Sequence, residues 1–121
     1  MSHVVAFFLV SLVAAIHAYV LVLEMFLWTG PIGQRAFGTS PEFAQATKVL
    51  AANQGLYNGF LAAGLTWGLV GPGVTAGRPI LTFFLLCVLA AGAFGGVTVS
   101  RRIFLIQGMP AGLALASIWL S

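Results

Sequence analysis

The sequence predicts an all-α integral membrane protein, an antiparallel bundle of four transmembrane helices in one domain, and three observations lead there. First, 60% of the 121 residues are hydrophobic and 6% charged, with a mean hydropathy of +1.07. Soluble domains carry about a quarter charged residues, and disorder requires the opposite composition. Second, four apolar stretches reach the roughly 20 residues that a helix needs to cross a bilayer. Third, these stretches are long and broken by Gly, Pro and Arg, whereas barrel strands are short and alternate. Nucleic-acid binding is excluded as well, because the five Lys/Arg form no basic stripe.

The first span runs from about residue 4 to 28. It is expected to be a retained helix, since it is too long for the apolar core of a signal peptide, has no Lys/Arg before it and contains Glu24. The connection that follows, Thr29 to about Lys48, has room for structure of its own. Within it Thr39-Ser40-Pro41-Glu42 reads as a helix start, with Thr39 or Ser40 as N-cap and Glu42 able to reach back. An interfacial segment over about 40–48 should carry Phe43, Ala46, Thr47 and Leu50 on one face and continue into the second span, 49–70. Gly71 to Gly77 reads as a short turn, and Pro79 is a favoured first-turn residue for the third span, 79–99. Ser100-Arg101-Arg102 is tighter still, and the fourth span is expected over 103–120.

Basic residues set the orientation. Arg35, Lys48, Arg101 and Arg102 lie on the side of connections one and three, against Arg78 alone on the side of both termini. By the positive-inside rule, connections one and three are cytoplasmic and both termini outside. Glycines recur at four-residue spacing, as in Gly55/Gly59, Gly64/Gly68, Gly92/Gly96 and Gly108/Gly112. In lipid, small residues so spaced let helix backbones approach closely, and that packing role needs no further function.

Chemistry rests on the few polar residues inside the spans. Glu24 precedes Trp28 by one turn, and Trp28 is expected to mark the cytoplasmic interface, so the carboxyl lies roughly 6 Å inside it. The plainer reading has Glu24 reaching headgroups or pairing with Arg35 or Lys48. His17, seven residues earlier on the same face, is roughly 10 Å from Glu24 along the axis, too far to share a metal ion. It is a second candidate for acid–base work, the plainer reading being a buried imidazole bonded within the bundle. His3 and His17 share one span, so a haem between them is not expected, and no metal or other cofactor is called for. Cys87 has no Cys partner and reads as packing.

The second span opens with Asn53, Gln54, Tyr57 and Asn58, a polar patch that lipid would not accept facing outward. Interhelical hydrogen bonds account well for one or two of these amides, and less well for three. In the fourth span Pro110 cannot donate to the carbonyl of Ile106, so a kink and a free acceptor are expected beside Gln107. Glu24, Asn53, Gln54, Asn58 and Gln107 should share one depth in the cytoplasmic leaflet, with Tyr57 slightly deeper and His17 near the midplane. They are expected to line one polar cavity beside Trp28.

The blocks Leu23-Glu24-Met25-Phe26-Leu27-Trp28, Ala52 to Ala62 and Gln107-Gly108-Met109-Pro110-Ala111 resemble a family of small four-span bacterial membrane proteins of unknown function. The resemblance covers nearly the whole chain and implies four helices in a bacterial inner membrane; it implies no reaction, substrate or catalytic residue. A likeness to small multidrug transporters is architectural: four spans, similar length and an acidic residue in the first helix. The amide-rich second span and the long first connection depart from that pattern.

Three function classes follow. The first is a site in the cytoplasmic leaflet that binds or converts a small amphipathic molecule, with Glu24 exchanging a proton, His17 as a further candidate, and Trp28, Asn53, Gln54, Tyr57, Asn58 and Gln107 as binding residues. The second is a homodimeric proton-coupled exporter sharing Glu24 as proton and cation site. The third is a structural or assembly subunit in which the amides only bond helices together. The expected partners are the lipid bilayer, a small amphipathic ligand and a second copy of the chain.

Overall fold

The computed structural model describes residues 3–121, and the elements among them are helices. In order these are α1 (His3–Met25), α2 (Pro31–Phe37), α3 (Pro41–Val70), α4 (Gly73–Ala76), α5 (Arg78–Thr98), α6 (Arg101–Ile103), a π-turn (Phe104–Gly108) and α7 (Met109–Leu120). Three helices are long and apolar enough to cross a membrane: His3–Met25, Arg78–Thr98 and Arg101–Leu120. The expected second span lies inside α3, whose 30 residues include Lys48, Asn53, Gln54 and Asn58. The chain divides into two compact units, one holding residues 3–16 with Leu61–Ser121, the other His17–Phe60.

The first unit is built on apolar stripes at steps of three and four. Ala6, Val10 and Val13 of α1 are buried, as are Leu65 and Leu69 of α3, Leu81, Leu85 and Val88 of α5, and Ala111, Ala114 and Ile118 of α7. Each set keeps one helix face inward, as the helical period requires. Gly64 faces the ring of Phe84 and Gly68 the side chain of Leu81, so α5 runs back along the end of α3. The pairs Thr82–Trp119, Gly92–Gly108 and Gly95–Ile103 run in opposite senses, which makes α5 and α7 antiparallel. At their closest a Cβ on Gly92 would stand 2.8 Å from the Gly108 nitrogen, a backbone approach only glycine permits.

The Pro110 break takes a particular form. The N–H of Met109 bonds the carbonyl of Phe104, five residues back, and the turn widens immediately before the proline. Such π-turns accommodate a residue that cannot join the regular ladder. The Ser100 hydroxyl accepts from the N–H of Arg102 at 3.1 Å and starts this helix. The turn after α3 also holds more order than expected, as Gly73, with φ 93°, opens the single helical turn of α4.

In the second unit the first helix ends at Met25, three residues before the expected Trp28. The chain turns through residues 26–30 because Gly30-Pro31 begins a new helix, with Pro31 at its first position. This helix, α2, was not anticipated; it ends at Gly38, whose φ of 66° is the left-handed C-cap that favours glycine. Gly33 is the other necessity, for any Cβ there would collide with the Leu27 carbonyl. Ser40 caps α3 by accepting from the N–H of Phe43 at 3.1 Å, and Glu42 stands in the first turn, where the helix dipole favours a negative charge.

Candidate functional site

Glu24 and Asn58 meet where the last turn of α1 lies along the middle of α3. Two glycines permit the approach. A Cβ on Gly55 would come 2.7 Å from Met25 Cγ and 3.0 Å from Glu24 Cβ, and one on Gly59 2.5 Å from Leu21 Cδ1. With the helices this close, Asn58 Nδ2 donates to Glu24 Oε1 at 2.8 Å. The same amide nitrogen donates to the Gln54 carbonyl at 3.1 Å, one turn back on its own helix. Both amide hydrogens are thereby engaged, which fixes the orientation of the amide plane. Glu24 Oε2 and Asn58 Oδ1 make no hydrogen bond among the described residues.

Glu24 is half-buried and bonds Asn58 rather than Arg35 or Lys48, both of which are exposed. His17 is 1% exposed, buried in α1. Trp28, in the turn after α1, is half-buried and donates from Nε1 to Thr47 Oγ1 at 3.1 Å. Its ring packs on Phe37 of α2 with centroids 5.0 Å apart, and the Thr47 hydroxyl donates to the Phe43 carbonyl at 2.7 Å. Trp28 thus ties the turn to both α2 and α3.

The remaining residues expected at one cavity are distributed differently. Asn53 and Gln54 are exposed, and Tyr57 is 53% exposed with its ring beside Phe60. Asn53 and Tyr57 lie opposite the buried stripe of the helix, which runs through Ala44, Ala51 and Gly55, and Gln54, one turn before Asn58 on the same side, stays exposed. Gln107 belongs to the first unit, half-buried on the π-turn with its Cβ next to Gly92.

Sequence reasoning missed three contributors. Thr47 had been placed on a face but not given a role, and Gly33 and Phe37 lie in the unforeseen α2; the Gly-Pro pair at residues 30–31 was the signal available for that helix. In the first unit, the Arg78 guanidinium lies 4.9 Å over the Trp119 ring, whose Nε1 donates to Thr82 Oγ1 at 3.0 Å. An apolar groove of about 470 Å³ there is lined by His3, Val4, Phe7, Phe8, Leu69, Gly73 and Val74, and His3 Nε2 lies 2.7 Å from Thr75 Oγ1. Neither feature had a sequence signal, since both depend on residues 37 or more positions apart.

Comparison with known proteins places the chain in a family. The chain is 32% identical over 108 residues to the uncharacterised protein YpaA of Lactococcus lactis subsp. lactis (strain IL1403), a match covering 88% of this chain and 89% of that one. No solved structure matches it. Residues 11–119 match the family model described as a protein of unknown function, DUF1304, a stretch that includes Glu24, Asn58 and every helix from α2 onward to within a residue of the end of α7. The chain belongs to the DUF1304 family.

Proposed function

We propose that this chain crosses the bacterial inner membrane four times, with both termini outside, and binds a small amphipathic molecule at Glu24 and Asn58 in the cytoplasmic leaflet. The observation that carries the reading is the Glu24–Asn58 hydrogen bond at 2.8 Å, with one acceptor oxygen of each side chain left over. Two acceptors fit a head group that donates N–H or O–H bonds, such as an amine or an alcohol. The depth fits the rest of the molecule. Glu24 stands at the last turn of α1, so a head group could reach it from the interface while its apolar body stays among the acyl chains. The carboxyl is also the group that would give or take a proton in any acid–base conversion of the bound molecule. His17, roughly 10 Å deeper along the same helix, could act only through an intervening group.

The test uses protein in lipid nanodiscs, with melting temperature followed against a series of n-alkylamines and n-alkanols. A ligand that binds only the folded state raises stability with its concentration over its dissociation constant, so the rise should saturate and steepen with chain length. Glu24→Gln should remove the response to amines while the unliganded protein melts close to wild type. An identical response in Glu24→Gln, or none in wild type to either series, overturns the reading.

A further inference from the structure

A second groove lies where α5 gives way to the helix that carries the π-turn. It encloses about 300 Å³ and is lined by Ala93, Gly96 and Val97 on one side and by Arg101 and Phe104 on the other. Two glycines of α5 bring the helices together here. A Cβ on Gly95 would stand 2.7 Å from Ile103 Cγ2, and one on Gly96 2.8 Å from Phe104 Cβ. Both walls belong to helices long and apolar enough to cross a membrane, Arg78–Thr98 and Arg101–Leu120. The lining is ordered along the helix axis: Arg101 stands at the end next to Ser100, and Ala93 lies deeper, roughly 6 Å before Val97.

The mouth of this groove is cationic and unanswered. Arg101 and Arg102 are exposed, and their side chains make no hydrogen bond or ion pair among the described residues. The two acidic side chains of the sequence, Glu24 and Glu42, both belong to the other unit. An arginine at the open end of an apolar cleft suits a phosphate whose hydrocarbon fills the cleft, because guanidinium N–H groups match phosphate oxygens in pairs. The larger groove at His3 has no Lys or Arg in its lining and offers no such fixed charge.

We infer that this groove holds an anionic phospholipid, with one acyl chain along Ala93, Gly96 and Val97 and the phosphate on Arg101, Arg102 standing beside it. The inference rests on the membrane placement proposed above and not on the Glu24 ligand. With Ser100-Arg101-Arg102 on the cytoplasmic side, the arginines meet a leaflet surface whose anionic lipids attract basic residues. Basic pockets between spanning helices on that side are sites for such head groups. Ala93 and Gly96 have no side chain long enough to fill the cleft, which leaves its length open to a hydrocarbon chain. A second copy of this chain is the poorer occupant, because a two-fold contact here would set like charges against each other.

Nanodiscs of phosphatidylcholine with a rising fraction of phosphatidylglycerol test this, lipid retention being read by native mass spectrometry. Wild type should retain phosphatidylglycerol in preference to phosphatidylcholine. Arg101→Gln should weaken that preference roughly 5-fold, the worth of one interfacial cation, and Arg101→Lys should keep most of it. Ala93→Phe fills the groove with the charge left in place and should also lower retention. Arg35→Gln, an exposed cation of the other unit expected on the same side of the membrane, should not. Glycerol 3-phosphate, which has the phosphate without the chains, should give no comparable thermal stabilisation in detergent. An equal loss in Arg35→Gln, undiminished retention in Arg101→Gln or Ala93→Phe, or full stabilisation by glycerol 3-phosphate would each overturn the proposal. So would a photoreactive residue at position 97 that cross-links to protein in place of lipid. Selective retention in the absence of an alkylamine response would leave this site standing and remove only the Glu24 ligand.

Discussion

Residues 3–16 and Leu61–Ser121 close around twelve buried apolar side chains, among them Leu65, Leu81, Leu85 and Ile118. In His17–Phe60, by contrast, the buried apolar side chains among the described residues are Leu23, Ala44 and Ala51, and the other buried positions are His17, Gly33 and Gly55. One unit is held chiefly by interdigitated aliphatic stripes, with Gly92 set against Gly108 where α5 and α7 come closest. The other is held by glycines that bring backbones together and by polar bonds laid across the contact: Asn58 to Glu24 and Trp28 to Thr47. In lipid, where water drives no helix onto another, both solutions work: one through dispersion contacts, the other through hydrogen bonds at close approach. The difference teaches how a carboxyl is housed: Glu24 is accommodated where two helices meet through Gly55, Gly59 and the Asn58 amide.

Truncating the aliphatic core should break this comparison from one side with the largest effect. Leu81→Ala and Leu85→Ala remove fully buried side chains, and each is expected to cost about 2–5 kcal/mol, read as loss of folded protein in a detergent or denaturant titration. Overpacking the glycine contact should break it from the other side. Gly55→Leu is expected to cost about 1–3 kcal/mol, because its side chain would enter the space held by Met25 and Glu24. A melting curve unchanged by Gly55→Leu would mean that α1 and α3 do not approach at this point. The smallest effect sharpens the contrast: Asn58→Leu should cost about 0.6–2 kcal/mol, the range of one interhelical hydrogen bond. Combined with Glu24→Leu, which removes the acceptor, in a double-mutant cycle, it should be non-additive, whereas either change combined with Leu85→Ala should add, since the latter lies in the other unit.

Much of the fold was legible because the signals were local. The apolar run from His3, the Pro79 start of α5, the Ser40 and Ser100 caps and the disturbance ahead of Pro110 are written in residues a few positions apart. The helix α2 was missed because its seven residues form no apolar stripe, and its start depends on Gly30 and Pro31 within a segment that otherwise reads as loop. At the site, Glu24 stood out as an acid in an apolar helix, but its partner did not. Helical spacing groups Asn53 with Tyr57 and Gln54 with Asn58, and cannot say which of these faces meets α1.

By itself, then, the sequence determined the helical class, most helix ends and three of its four expected spans as helices apolar enough to cross a membrane, because composition, caps and the 3.6-residue period act within a few turns of one segment. Only the tertiary structure decided that Asn58, and not Asn53 or Gln54, bonds Glu24. The physical reason is rotation about the helix axis. Each residue turns the helix by about 100°, and the glycines at 55 and 59 choose which rotation of α3 can lie against α1, since only their side leaves room for Leu21 and Met25. The same rotation leaves Asn53 and Tyr57 exposed on the opposite face of α3, away from Glu24.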